Sequence, residues 1–180
     1  MNLANKITIV RVLLIPLYLV FALTNLPNGQ YISAAIFIIA TLTDTLDGYI
    51  ARSRNQITDF GKFMDPLADK LLVMAALIAL VDKGRIHAII PIIILTREFL
   101  ITGLRSLAAS KGVVIAASWW GKLKTVTQMI ALILLMIGNF PFRDLNIPMD
   151  NIMLYIATVV TIISGYDYIV KNIHVFGKEL

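Results

Sequence analysis

The chain has 180 residues, 58% of them hydrophobic, with a mean hydropathy of +0.82 and no cysteine. That composition excludes an ordinary water-soluble globule, and the missing cysteine excludes disulfides, thiolate zinc sites and a cysteine nucleophile. The net charge of +5 suits an anionic lipid surface or anionic substrates, whereas the basic residues are too dispersed among apolar runs for a nucleic-acid partner.

The apolar runs predict an all-α, polytopic membrane protein, a single domain over 1–180 with six transmembrane helices. They fall at roughly 7–25, 32–53, 64–82, 86–108, 121–139 and 150–172, each near the ~20 residues that a bilayer core requires. MNLANK (1–6) is expected to form a short N-terminal interfacial helix. The first run lacks a small-x-small cleavage pattern and is expected to be retained, and no organellar leader is expected. The breaks have turn chemistry: TNLPNGQ (24–30), DKGR (82–85) and NFPFRDLNIP (139–148).

With a cytoplasmic N-terminus, thirteen of the sixteen Lys and Arg fall on the cytoplasmic side, and only Lys83, Arg85 and Arg143 lie opposite. The positive-inside rule then turns residues 44–69 to the cytoplasm, and with no organellar leader expected the chain is assigned to a cell inner (cytoplasmic) membrane. Arg97 and Glu98 lie at depth in the fourth span, where they are expected to pair with each other or with aspartates, facing the bundle interior.

Asp44, Asp47, Asp65 and Asp69 sit in or beside these spans. One Asp at a helix centre costs about 2.5–3.5 kcal/mol, so four unpaired ones would approach roughly 10 kcal/mol. Two divalent cations, Mg2+ or Mn2+, are the natural compensation, because hard cations take carboxylate oxygens. On a helix, Asp44, Asp47, Gly48, Ala51 and Arg52 form one stripe at i, i+3, i+4, i+7 and i+8. Carboxylates hold metal, Gly and Ala let a planar group approach the backbone, and Arg suits a phosphate. Asp65 and Asp69 repeat the pattern at i, i+4; alternatively Asp65 caps a helix whose first residue is Pro66. The connection between the two helices supplies Thr58 and Gly61 near the phosphates, and Asp69 is the expected base for a hydroxyl acceptor. Such an array stabilises the attacking and leaving oxygens of an in-line displacement at phosphorus. Helix caps and surface ion pairs account for a single aspartate at a span end, but not for four beside Gly, Ala and Arg.

The stretch reads D-x2-D-G-x2-A-R-x8-G-x3-D-x3-D without departure, on Asp44, Asp47, Gly48, Ala51, Arg52, Gly61, Asp65 and Asp69. This resembles the signature of the CDP-alcohol phosphotransferases. The resemblance implies six helices, two divalent metals on the four aspartates, a CDP-linked donor near Gly48, Ala51, Arg52, Thr58 and Gly61, and Asp69 as base. It also implies a homodimer.

Over most of its length the chain is similar to one branch of that family, the phosphatidylglycerophosphate synthases, which use CDP-diacylglycerol and sn-glycerol 3-phosphate. The similarity lies in Asn2, Leu3, Asn5, Thr8 and Arg11, in TREFLITGLR (96–105) and in GKLKTVTQ (121–128), with Ala4 where that branch commonly has Pro. Arg97, Arg105, Lys122 and Lys124 are the candidate ligands for the acceptor phosphate. Against this, Lys122 and Lys124 also suit headgroup anchors and Arg97 a structural partner of Glu98. Other acceptors (inositol phosphate, serine, a phosphatidyl lipid) remain rivals within the family. A divalent-cation transporter and a purely structural membrane protein are rivals of other classes. Trp119 and Trp120 read as interfacial anchors, His87 as remote from any metal, Gly103 and Gly165 as helix-packing positions, and Asp167 and Tyr168 as lining the site or as snorkelling polar groups.

Overall fold

The computed structural model describes residues 3–24, 26–53, 59–116 and 118–176, with side chains described over 7–24, 26–43, 64–116 and 118–173. Among these residues the fold is all-α. Six α-helices follow in order: α1 (Leu3–Leu23), α2 (Gly29–Ser53), α3 (Asp59–Asp82), α4 (Ile89–Ser110), α5 (Trp119–Met136) and α6 (Met149–Phe176). A single 3-10 turn, Phe142–Leu145, precedes α6. The expected interfacial helix is not a separate element: residues 3–6 are the first turn of α1, because nothing in ANKIT breaks the helix before Pro16.

The helices cluster into two compact units, residues 1–86 with 136–138, and residues 87–135 with 139–180. In the first, α1 packs on α2 and α3, and α2 on α3. Alanines at 34, 40, 68 and 76, each no more than 2% exposed, let the backbones approach closely. Tyr18 and Phe37 fill the space between α1 and α2, with ring centres 6.2 Å apart. Gly29 opens α2 where a Cβ would stand 2.8 Å from the Phe21 carbonyl oxygen, so the helix start can lie against α1 only without a side chain.

In the second unit α4 packs on α6. The seam on α6 is Leu154, Ala157, Thr161, Ser164 and Tyr168, at alternating steps of three and four, and on α4 it is Ile94, Ile101 and Ala108. The hydroxyls within apolar helices are satisfied locally: Thr41, Thr102, Thr158 and Thr161 each donate to the carbonyl four residues back.

Met149–Ile173 of α6 is long and apolar enough to cross a membrane. At 1.5 Å per residue it covers about 37 Å, against a hydrocarbon core of about 30 Å. Ile7–Leu23 and Gly29–Thr43 are shorter apolar stretches. Outward on α1 stand Val10, Leu13, Leu17 and Val20, between 44% and 64% exposed, an apolar stripe that water would penalise.

Candidate functional site

The aspartate stretch is carried by α2 and α3. The helical backbone of α2 runs unbroken to Ser53, so Asp44, Asp47, Gly48, Ala51 and Arg52 share a helix with the spacing of one face. Their side chains, and all of Thr58, lie outside the described residues. The helix α3 begins at Asp59, earlier than the sequence pattern suggests. Gly61 is therefore in its first turn rather than in the connection. Asp65 is likewise not a cap: it lies inside α3, and Pro66 is an interior proline. Asp65 and Asp69 thus stand one turn apart on one helix, both half-buried.

The first carboxylate is anchored from α1. Thr8 Oγ1 donates to Asp65 Oδ1 at 2.5 Å, and Thr8 is 1% exposed. Arg11, one turn on from Thr8, is buried equally deeply, as a guanidinium is only when paired. Thr8, Arg11 and Tyr18 therefore form the inward stripe of α1, with its polar end level with Asp65. A set of four carboxylates supplies the hard oxygen donors that divalent cations require. Of the four aspartates only Asp65 and Asp69 have described side chains, and among the described residues no group of three or more ligating side chains occurs.

The second unit brings two of the basic candidates, Arg97 and Lys124, to one carboxylate. Glu98 Oε1 accepts from Arg97 Nη1 at 3.2 Å and from Lys124 Nζ of α5. Arg97 Nη2 donates to Ser164 Oγ of α6 at 2.6 Å. Lys124 is only 5% exposed. Two glycines make the space. A Cβ at Gly165 would stand 3.3 Å from Arg97 Cγ, and one at Gly121 would stand 3.7 Å from Arg97 Nη2. Gly165 thus makes room for the aliphatic stem of Arg97, and Gly121 for its guanidinium. Arg105 lies with its guanidinium 5.5 Å from the Tyr168 ring centre, a cation–π distance. Lys122 is exposed on α5. Ser164 escaped the sequence reading because a lone serine in an apolar helix carries no periodic signal; its place one step before Gly165 was the available hint. His87 acts locally, its Nδ1 accepting the Ile89 amide at 3.3 Å.

The family model described as CDP-alcohol phosphatidyltransferase matches residues 1–163. A protein of Bacillus subtilis (strain 168) named CDP-diacylglycerol--glycerol-3-phosphate 3-phosphatidyltransferase is 44% identical over 183 residues, covering 95% of both chains. Similar proteins of the same name occur in Rickettsia bellii (strain RML369-C), 42% identical with 93% of each chain covered, and in Haemophilus influenzae (strain ATCC 51907 / DSM 11121 / KW20 / Rd), 42% identical with 93% of this chain and 91% of the relative covered. With the aspartates set on consecutive helices and a match reaching from the first residue into α6, the chain belongs to the CDP-alcohol phosphatidyltransferase family.

Proposed function

We propose that this protein transfers the phosphatidyl group of CDP-diacylglycerol to the hydroxyl of sn-glycerol 3-phosphate, giving phosphatidylglycerophosphate and CMP. The observation that carries the reaction class is the aspartate set on two successive helices, with Asp65 and Asp69 one turn apart on α3. The acceptor follows from relatives that share one printed name at 42–44% identity over nearly the whole chain.

In this reading Asp69 takes the proton of the acceptor hydroxyl, the hydroxyl oxygen attacks the β-phosphorus of the donor, and the bond to the CMP oxygen breaks. Asp44, Asp47, Asp65 and Asp69 hold two divalent cations, Mg2+ or Mn2+, which when bound supply neutralisation of the diphosphate charge. Gly48 and Ala51 leave room for the cytidine, with Arg52, Thr58 and Gly61 toward the phosphates. Arg97, Arg105, Lys122 and Lys124 hold the acceptor phosphate, with Glu98 fixing both Arg97 and Lys124 and Ser164 fixing Arg97.

The same reading makes the chain a single-domain, six-span membrane protein, a homodimer as the family resemblance implies, with its N-terminus and reaction centre at the cytoplasmic face of the inner membrane. The apolar outer stripe of α1, the span-length α6 and a family match that crosses the boundary between the two units support it. Purified protein given CDP-diacylglycerol and, in separate tubes, labelled glycerol 3-phosphate, inositol phosphate and serine should label lipid with the first alone. Label from either of the others, and none from glycerol 3-phosphate, overturns the acceptor.

A further inference from the structure

The connection from α4 to α5 is apolar where a water-facing connection is polar. Residues 113–117 read VVIAA, followed by Ser118, Trp119 and Trp120. Val114 is 92% exposed, Trp119 68% and Val113 40%. Exposed apolar runs of this length are avoided in water unless something covers them. The display is built in, because both ends of the connection are fixed. Lys111, Gly112 and Val113 close α4 in a Schellman cap. The Gly112 amide donates to the Ala109 carbonyl at 3.0 Å and the Val113 amide to the Ala108 carbonyl at 2.9 Å, with Gly112 at a φ of 73°. Ser118 caps α5, its Oγ accepting the Gly121 amide at 3.1 Å. Val114 is therefore held outward, one residue beyond a completed cap.

Level and charge identify what covers it. Val113, Val114 and Trp119 border one groove with Lys171 and Asn172. Those two stand at the end of Met149–Ile173, the stretch long enough to cross a bilayer. The ends of such a stretch lie at headgroup depth, where tryptophan also concentrates. Trp119 opens α5 there, edge-on to Trp120 with ring centres 5.8 Å apart. The charge is of one sign. Between Glu98 and Asp144 every charged residue is basic: Arg105, Lys111, Lys122, Lys124 and Arg143. Lys111 and Lys122 are exposed on either side of the apolar run. The carboxylate that faces the connection from α6, Asp167, is half-buried and paired with Lys171 at 2.6 Å. Apolar side chains between two exposed lysines match hydrocarbon beneath them and anionic phosphates beside them.

We propose that the α4–α5 connection is a membrane-inserted wedge. Val113, Val114 and Trp119 enter the acyl region of one leaflet, and Lys111 and Lys122 lie against the anionic phosphates around them. The wedge fixes the lengthwise position of α5, so that Lys122 and Lys124 in its first two turns stay at phosphate depth. The inference rests on the membrane-spanning reading given above and not on the reaction.

The chain has no cysteine, so one spin label can be placed at will on full-length protein in nanodiscs. Val114→Cys reads the wedge. Val159→Cys, at a position 54% exposed near the middle of the span-length stretch of α6, reads the membrane crossing by itself. Collision of the label with oxygen marks lipid, and collision with a water-soluble nickel chelate marks water. In discs containing phosphatidylserine the label at 114 should be oxygen-rich and nickel-poor, about 5–10 Å into the headgroup and acyl boundary. It should be shallower in pure phosphatidylcholine, and Lys111→Gln should remove much of that difference. Trp119 gives a reading without a label on the loop. With Trp120→Phe it is the sole tryptophan of the original two, and bromines near the carboxyl end of the acyl chains should quench it. Val114→Asp should cut that quenching about twofold or more. A nickel-rich label at 114 beside an oxygen-rich label at 159 overturns the wedge alone. Nickel-rich labels at both positions overturn the membrane-spanning reading with it. A label at 114 shielded from both reagents, with dipolar broadening that unlabelled protein dilutes away, puts a second copy on the patch and overturns the wedge. Equal depth in the two lipids overturns the part given to the lysines.

Discussion

Thr8→Val tests whether α1 holds the first aspartate of α3. Valine keeps the volume and shape of threonine in a position that is 1% exposed, so packing is retained and the donor to Asp65 Oδ1 is lost. Hydrogen bonds to charged groups contribute about 1.5–3 kcal/mol, and the short 2.5 Å contact in a buried setting belongs in that class. For a chain of 180 residues, at about 2–4 °C per kcal/mol, the melting temperature should fall by about 3–12 °C. That part is measured in chelator, so no divalent ion contributes. If Asp65 is a metal ligand, its orienting partner matters a second time. Loss of such a partner typically weakens metal binding 10–100-fold, read by Mn2+ titration and not by turnover. Thr8→Ser, which keeps the donor, should recover most of both effects. A Thr8→Val protein that melts with the parent in chelator refutes the anchoring, and one that melts early yet binds Mn2+ normally refutes the ligand role of Asp65.

Asp69→Asn should lower the rate of CMP release by at least about 10²–10⁴-fold with an unchanged melting curve; full activity removes Asp69 as base. Lys124→Met leaves Glu98 half-buried, which normally costs about 3–5 kcal/mol, but Arg97 stays 3.2 Å from Glu98, so the loss should lie near 3 kcal/mol and shrink when Glu98→Gln is added. Gly165→Ala gains helix propensity of up to about 1 kcal/mol, yet places a Cβ 3.3 Å from Arg97 Cγ. Stability should therefore change little while the KM for the acceptor rises severalfold, and an unchanged KM would detach Arg97 from acceptor binding.

Much of the fold was legible because its information is local. Six apolar stretches, separated by Pro, Gly and charge, correspond to six helices, with ends displaced by no more than about one turn in most cases. The start of α3 is the largest displacement. Asp59, Phe60 and Gly61 precede a proline that looks like a first helical residue, and the helix nevertheless begins about two turns before that proline. The spacing of Asp65 and Asp69 was equally legible, since i, i+4 on a helix needs no tertiary information.

The partners of these groups were not legible. The Thr8–Asp65 bond spans 57 positions and the Arg97–Ser164 bond 67, and nothing local to either residue names the other. Glu98 had two candidate fates in the sequence, a pair with Arg97 or with the aspartates. The structure adds Lys124, whose ammonium reaches Glu98 from α5. The sequence by itself determined the helices, their apolar faces and the spacing of the aspartate stripe, all of which follow from the 3.6-residue repeat and side-chain identity. Only the tertiary structure decided that Thr8 braces Asp65, that Glu98 joins α4 to α5, and that Gly165 opens space for Arg97. Which faces meet depends on the packing of whole helices, and no short window of sequence contains that.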